Sequence, residues 1–217
     1  MPDLLRLLDQ ITINTHSSIR IETEGKVLYT DPFGLSCELH DADVIFVTHE
    51  HFDHFSPDDI QKVSKDDTVF VVPAQMREAA MKIAGSRNVI TVRAGECGEA
   101  CGVRFEAVAA YNPAKPFHPR ANGWVGYVLT VNGLRVYIAG DTDATEEAAA
   151  VRCSVAMLPI GGKYTMDPEQ AAALANRIKP DVAIPTHYGS VAGTQACYDE
   201  FVSCVDPKIH VVRKVPV

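Results

Sequence analysis

The segment Val44-Ile-Phe-Val-Thr-His49-Glu-His51-Phe-Asp53-His54 decides how the rest of the chain is interpreted. Its first half is an apolar run typical of a buried β-strand, and its second half holds three histidines and an aspartate. Alternate side chains of a strand point to the same face, so His49 and His51 should point the same way, with Asp53 and His54 on the turn beyond. Imidazole with carboxylate suits zinc, iron, manganese or nickel rather than calcium. The segment therefore predicts a metal site at a strand end.

Length and charge limit the classes of protein to consider. At 217 residues, without a linker-like segment, the chain is expected to form a single domain over residues 1–217. Its 20 basic and 28 acidic side chains give a formal charge of -8, and the basic ones are scattered, so nucleic acid is not an expected partner. A short Leu-rich turn near the N-terminus resembles neither a signal peptide nor a membrane span. We expect a cytoplasmic protein that has no membrane partner and acts on a small-molecule substrate. Its six cysteines are expected to be reduced, and a homo-oligomer is compatible with the sequence.

The pattern of elements indicates an α/β fold. Short strands are predicted in the N-terminal third, the last two joined through Glu24-Gly25, and a helix is predicted to start at Ser56. The middle of the chain is predicted to be mostly strands, with Asn132-Gly133 as a hairpin turn and a loop over residues 112–123. The last third alternates helices and strands again, with a helix predicted to start at Asp167. Two blocks of mixed strands, each followed by helices, predict a four-layer αββα sandwich of two mixed β-sheets flanked by helices.

Three further strand ends carry residues of the metal-ligand type. Asp141 follows the apolar run that ends at Gly140, His187 follows another such run, and Asp31 ends a third. Each has a structural alternative, because aspartate before Thr or Pro is a common turn residue and a histidine there can satisfy local backbone groups. Beside the histidine cluster we interpret Asp141 as a bridging carboxylate, His187 as a ligand and Asp31 as a carboxylate that orients a ligand histidine from behind.

The order and spacing of these residues resemble the metallo-β-lactamase superfamily. The segment from His49 to His54 matches its H-x-H-x-D-H motif, while Asp31, Asp141 and His187 match its early aspartate, bridging aspartate and last histidine. Thr15-His16-Ser17-Ser18 further resembles a branch of small metal-dependent hydrolases that includes ascorbate-6-phosphate lactonase-like proteins.

The resemblance implies the metallo-β-lactamase fold with a binuclear metal site between the sheet edges. It implies one metal on His49 and His51, a second on Asp53, His54 and His187, and Asp141 between them. One or two divalent ions per chain are expected, zinc before manganese, nickel or iron. Such ions lower the pKa of a shared water and polarise the bond to be cleaved, and Asp53 would guide the water's proton to the leaving group.

The chain departs from the superfamily at the third ligand of the first metal. The superfamily usually has a histidine where this chain has Tyr111-Asn112. His118 lies on the loop that follows, and we predict that it folds into the site as a ligand or an acid, the alternative being a surface histidine. His16 is a second candidate, as a residue behind the ligands or facing the substrate.

Two functions from different classes remain open. The first is a metal-dependent hydrolase in which a metal-bound hydroxide attacks an ester, lactone or phosphoester bond of a small molecule. The second is a metal-binding sensor or binding domain whose incomplete first site has lost catalysis. Lys163 and Tyr164 are candidate hydrogen-bond donors in the cleft, and Phe117 and Trp124 are candidates for an apolar wall.

Overall fold

The computed structural model of the protein describes residues 2–85 and 88–216, and within them the strands form two sheets. The first sheet contains β1 (Ile11–Ile13), β2 (Ile19–Thr23), β3 (Lys26–Thr30), β4 (Ala42–Phe46), β5 (Ser64–Pro73) and β6 (Val89–Val92), in that order across the sheet. The second contains β7 (Cys97–Ala100), β8 (Val103–Ala109), β9 (Val125–Val131), β10 (Leu134–Ile138), β11 (Val155–Pro159), β12 (Val182–Thr186) and β13 (His210–Val211), again in sequence order.

Both sheets are mixed, and each changes direction in the same way. Strands β1 to β3 pair antiparallel and β3 to β6 parallel. Strands β7 to β10 pair antiparallel and β10 to β13 parallel. The carboxyl ends of neighbouring parallel strands meet at one edge of a sheet, so the residues that follow β3, β4, β10 and β12 can converge.

Six α-helices lie in the described part of the chain: α1 (Pro2–Gln10), α2 (Pro57–Val63), α3 (Arg77–Ala84), α4 (Glu146–Ala149), α5 (Pro168–Ile178) and α6 (Ala196–Cys204). Helices α2 and α3 contact the first sheet, α4 and α5 contact the second, and α6 packs on α5. Among these helices none combines the length and the apolar character that crossing a membrane requires.

The side chains of β4 show how the four layers form. Val44 and Phe46 are fully buried in the core between the two sheets, where the Phe46 ring lies 5.1 Å from that of Tyr127 on β9. Ile45 and Val47 point to the other face and join the separate core under α2 and α3. Because successive side chains of a strand alternate between its faces, an unbroken apolar run indicates a sheet covered on both faces. The predicted αββα sandwich is confirmed.

Most element boundaries agree with the expectations from sequence, and the exceptions have physical causes. The Leu-rich segment near the N-terminus is a nine-residue helix, α1, rather than a turn. Leu7 and Leu8 are buried while Leu5 is 61% exposed, the pattern of a helix that packs one face on a sheet. Strand β7 was not expected, because its residues Cys97–Ala100 lack apolar alternation and it forms only by pairing with β8.

All six cysteines are free. Two predictions of helix caps are correct in detail. Ser56 caps α2 by accepting a hydrogen bond from the backbone of Asp59. Asp167 and Gln170 form a capping box at the start of α5. Helix α4 is only four residues long and ends at Ala149.

Candidate metal centre

The turn after β4 brings the first set of candidate ligands together. The amide of Val47 still bonds to Val71 of β5, and beyond it the amides of His54 and Phe55 both donate to the carbonyl of His51. This tight turn returns the chain on itself, so Asp53 and His54 face the same edge of the sheet as His49. The predicted metal-site segment is therefore a strand end followed by a compact turn.

His49, His51 and His118 form the first candidate ligand group, with ring nitrogens within 4.8 Å of one another. The Nε2 atom of His49 lies 3.1 Å from Nδ1 of His51. Two nitrogens bound to one tetrahedral zinc at its usual bond length would lie about 3.3 Å apart. The spacing of this group therefore fits a single metal ion.

His118 lies beside His49 and His51, where the superfamily's third histidine is missing from the sequence. It is buried, and its Nε2 lies 3.2 Å from the Asp141 carboxylate. Asn112 accepts a hydrogen bond from Nδ1 of His118 through its side chain at 2.8 Å, and its backbone amide donates to the His118 carbonyl. Tyr111 instead donates its hydroxyl hydrogen to Glu147, away from the ligands. The predicted placement of His118 in the site agrees with this geometry, and its role as a ligand stays a prediction.

Asp53, His54 and His187 form the second candidate group, together with His16. Oδ2 of Asp53 lies 3.7 Å from Nε2 of both His54 and His187, and 3.1 Å from Nε2 of His16. The hydroxyl of Ser190 lies 3.3 Å from Nδ1 of His16. With Ser190 as donor to Nδ1, the Nε2–H of His16 points at Asp53 and orients its carboxylate.

Asp141 lies between the two groups. Its Oδ1 is 3.3 Å from Nε2 of His54, and its Oδ2 is 3.0 Å from Nε2 of His187 and 3.2 Å from Nε2 of His118. His49 is further away, at 4.0 Å. One carboxylate therefore reaches ligand candidates of both groups, the arrangement expected of a bridging residue.

A hydrogen-bonded layer behind the ligands fixes which ring nitrogens face the centre. Asp31 lies 2.7 Å from Nδ1 of His54 and accepts from both the amide and the hydroxyl of Thr48. The same hydroxyl lies 2.9 Å from Nδ1 of His49. With Nδ1–H occupied in both histidines, Nε2 is left as the electron-pair donor. The predicted place of Asp31 behind the ligands agrees with this network.

Three of these residues hold an unusual backbone conformation. The φ angles of His16, Asp31 and His187 are 53°, 50° and 56°, in the left-handed region that non-glycine residues rarely adopt. The amide of His187 also donates to the carbonyl of His16. Such strain persists where the surrounding contacts over-determine the conformation, and it clusters at functional sites.

The donor atoms fit a bound cation. Nε2 of His54, His118 and His187 and Oδ1 of Asp141 are buried and have no hydrogen-bond partner in the described part of the chain. A buried polar atom without a partner costs about 1–3 kcal/mol, so several that converge on one point indicate a missing partner common to them. A divalent metal ion bound by imidazole and carboxylate groups would satisfy them all.

The charges of the site lead to the same conclusion. Burial, together with the neighbouring His54, holds the pKa of His49 well below its usual range, which keeps the ring neutral. Burial alone would raise the pKa of Asp141, but His187 and His54 outweigh it and hold the pKa well below its usual range. Burial would lower the pKa of His54, but Asp141 and Asp31 outweigh it and raise the pKa well above its usual range. The Asp141 carboxylate is thus ionised and faces a positive charge, either a proton on His54 or a metal ion.

A cavity of about 250 Å³ opens onto the ligands. It is lined by His51, Phe52, Asp53, Phe117, His118, Asp141, Tyr164, His187 and Val191. Tyr164 therefore lies where the sequence suggested, whereas Lys163 is exposed, with its amino group 4.9 Å from the centre of the Tyr164 ring. Trp124 is buried behind the ligands and packs on His49 and His118 rather than lining the cavity.

Sequence reasoning missed several residues that shape this site. Thr48 contacts His49 and Ser190 contacts His16 through single hydroxyl groups, and such contacts leave no pattern in a sequence. The sequence did point to Asn112, because this residue stands where the superfamily usually has a histidine. Phe52 and Val191 are apolar residues on turns, and only the tertiary structure brings them to one cavity.

Comparison with known proteins gives a consistent result. The family model for the beta-lactamase superfamily domain matches residues 10–187. A protein of Aeropyrum pernix named UPF0173 metal-dependent hydrolase is 30% identical over 222 residues, covering 92% of this chain and 90% of that protein. A second so named, from Methanopyrus kandleri, is 30% identical over 207 residues, covering 88% of this chain and 89% of its own length.

Solved structures agree with the fold. A crystal structure from Parabacteroides distasonis, assigned provisionally to the metal-dependent hydrolases, is 32% identical with a TM-score of 0.78 and covers 95% of this chain and 93% of that one. Igni18, described as a metallo hydrolase of Ignicoccus hospitalis, is 23% identical with a TM-score of 0.73, covers 95% of each chain, and shows similarity of fold alone.

Proposed function

This chain belongs to the beta-lactamase superfamily, among the UPF0173 metal-dependent hydrolases, and from that premise we propose that it cleaves an ester, lactone or phosphoester bond of a small molecule. The observation that carries the proposal is the convergence of unpartnered Nε2 atoms of His54, His118 and His187 around the Asp141 carboxylate. Four buried polar atoms without partners that converge on one point favour a metal centre over a purely structural cluster.

Two divalent ions are proposed for this site, zinc first, with manganese, nickel or iron as the alternatives. His49, His51 and His118 would hold one, and Asp53, His54 and His187 the other, with Asp141 between them. Ions bound there would lower the pKa of a water and polarise the oxygen of the bond to be cleaved.

Asp53 is suited to move the proton of the reaction. Burial would raise the pKa of Asp53, but the hydrogen bond from His16 and the nearby His54 lower it, so the group is a carboxylate at neutral pH. It lines the cavity, within reach of a water or a leaving group. We propose that Asp53 accepts the proton of the attacking water and passes it to the leaving group, a role worth about 10²–10⁴ in rate.

The alternative of a catalytically silent sensor rested on a missing third donor to the first metal. His118 offers that donor in the structure, which favours the hydrolase. Metal stoichiometry separates the two functions. About two bound ions per chain would support the hydrolase, and about one would leave the sensor function open.

The test starts with protein stripped by EDTA and reloaded with Zn, Mn, Ni or Fe in turn. Turnover of generic lactone, phosphodiester and thioester substrates is then measured beside metal content, with Asp141→Asn as the matched variant. We expect about two ions per chain and turnover that returns with metal in the wild type only. Two bound ions without any metal-restored turnover across the panel would contradict the proposal.

A further inference from the structure

The mouth of the candidate metal centre is unusually apolar. In the described part of the chain six large hydrophobic side chains are exposed, and three of them line this one cavity. Phe52 is 66% exposed, Val191 38% and Phe117 36%. Single exposed hydrophobic side chains are ordinary, but several around one cavity indicate a surface that is covered in use.

The three side chains come from separate segments and are held by packing. Phe52 lies on the turn after β4 and its ring contacts Phe33 edge-on, with centroids 5.9 Å apart. Phe117 lies on the loop before β9 and packs edge-on against Tyr164 at 4.8 Å. Val191 follows β12. A rim assembled from three segments, with two of its rings braced by other rings, is a preformed binding wall.

Outside the candidate metal centre, the cavity lacks a side chain that would bind an anion. No lysine or arginine is among its lining residues in the part of the chain that the structure describes. Lys115 is bound to the Asp143 carboxylate at 2.6 Å and to the carbonyl of Thr165. Lys163 packs over the ring of Tyr164 outside the lining. A phosphate or carboxylate on the substrate away from the metal centre would therefore meet no lysine or arginine in this lining.

We infer that the substrate is an uncharged carboxylic ester or lactone whose apolar substituent packs against Phe52, Phe117 and Val191. This inference rests on the proposed function and narrows it, because an apolar rim favours a substrate whose part outside the metal centre carries no charge. Metal ions in the candidate centre would hold the reacting group, and the rim would hold the hydrocarbon beside it. The protein then discriminates between substrates by the apolar area that each removes from water, and each added methylene should raise kcat/KM about threefold to fourfold.

The first measurement follows turnover of p-nitrophenyl acetate, butyrate and hexanoate by the metal-loaded protein, together with a succinate half-ester as the anionic member. We expect kcat/KM to rise about threefold per methylene until the cavity is filled, with the anionic ester at least tenfold poorer than butyrate. In Phe52→Ala and Val191→Ala the ratio of hexanoate to acetate should fall at least fivefold. Leu39→Ala, which removes an exposed side chain outside this cavity, should keep the wild-type ratio.

The second measurement needs no turnover. Acetohydroxamic, butyrohydroxamic and hexanohydroxamic acids bind metal ions through one end, and their affinity for the metal-loaded protein is read by calorimetry, with metal content checked in each variant. Tighter binding along the series that disappears in Phe52→Ala supports the rim as the wall that binds the hydrocarbon. If every ester nevertheless resists cleavage, the hydrolase proposal fails and the ester part of the inference fails with it. Ester cleavage and hydroxamate binding that are both indifferent to chain length, or a preference for the anionic ester, would overturn the inference and leave the hydrolase proposal standing.

Discussion

At the scale of single residues, the candidate centre depends on the orientation of each imidazole. A histidine offers a metal ion one nitrogen only if the other carries the proton, and a hydrogen-bond acceptor decides which nitrogen that is. The acceptor for Nδ1–H is Asp31 for His54, Thr48 for His49 and Asn112 for His118. We propose that the superfamily's usual third histidine is replaced by two residues, His118 from the loop as a ligand and the side-chain amide of Asn112 that orients it.

The role of His118 is testable by metal content. We expect His118→Ala to lose about one metal ion per chain, because it removes a donor from the group that contains His49 and His51. Metal analysis after dialysis measures this directly. His210→Ala, which changes an exposed histidine on β13, is the matched control and should keep full metal content. Full metal content in both variants would contradict the assignment of His118.

Asn112 should act on the metal through His118 alone. We expect Asn112→Ala to weaken metal affinity about 10–100-fold, the usual effect of losing a partner that orients a ligand. Asn112→Asp keeps an acceptor oxygen for Nδ1 of His118, so affinity should largely return. Competition with a chelating dye gives both dissociation constants. Equal losses in the two variants would indicate a purely structural role for Asn112.

At the scale of elements, loops and strand ends carry the site, and close packing holds them in place. Gly161, beyond β11, shows how tight the packing is, because a Cβ atom there would lie 2.3 Å from the carbonyl oxygen of His187. Helix α2 anchors another loop through Asp59. This carboxylate accepts hydrogen bonds from the amides of Gly34 and Leu35, and it forms an ion pair with Lys62. The loop after Asp31 is thereby tied to the helix that follows the metal-site turn.

The link through Asp59 predicts a pH-dependent stability. Burial would raise the pKa of Asp59, but Lys62 and the amide of Gly34 outweigh it and lower the pKa. A carboxyl group with a lowered folded-state pKa stabilises the fold above its unfolded value of about 3.9, and the effect is lost as pH falls through the folded value. We expect Asp59→Asn to lower the free energy of unfolding by about 1–3 kcal/mol at pH 7.

Urea unfolding of wild type and Asp59→Asn at pH 7 and near pH 3 measures the effect. The difference between the two proteins should shrink at the lower pH. The wild-type carboxyl group is then protonated in the unfolded state, and protonation of the folded state follows as pH falls through its lowered pKa. A difference that stays constant between the two pH values would show that the charge of Asp59 is not its source.

At the scale of the whole molecule, the candidate metal centre brings together residues from the two halves of the sandwich. Its candidate ligands follow β4 in the first sheet and β10 and β12 in the second, and His118 comes from the loop between β8 and β9. A cation bound to all of them links both sheets. The core between the sheets also includes Leu7 and Val215, from opposite ends of the chain.

Metal removal should therefore lower the melting temperature. A ligand at a hundred times its Kd adds about 2.7 kcal/mol to stability, which corresponds to about 5–10 °C for a protein of this size. Calorimetry of EDTA-treated and zinc-reloaded protein measures the shift. Asp141→Asn, which weakens the residue between the two groups, should show a smaller response. Identical melting temperatures with and without metal would contradict a cation that links the sheets.

The sequence by itself determined the metal-site segment, the strand ends that place Asp31, Asp141 and His187, and the four-layer fold. These features follow from local patterns, since apolar runs form strands and the carboxyl ends of neighbouring parallel strands meet at one edge. Tertiary structure alone decided that Asn112 orients His118, that His16 orients Asp53, and that three apolar side chains ring the cavity. Those contacts join irregular loops, where no periodicity relates one residue to another, so only packing of the complete fold brings them together.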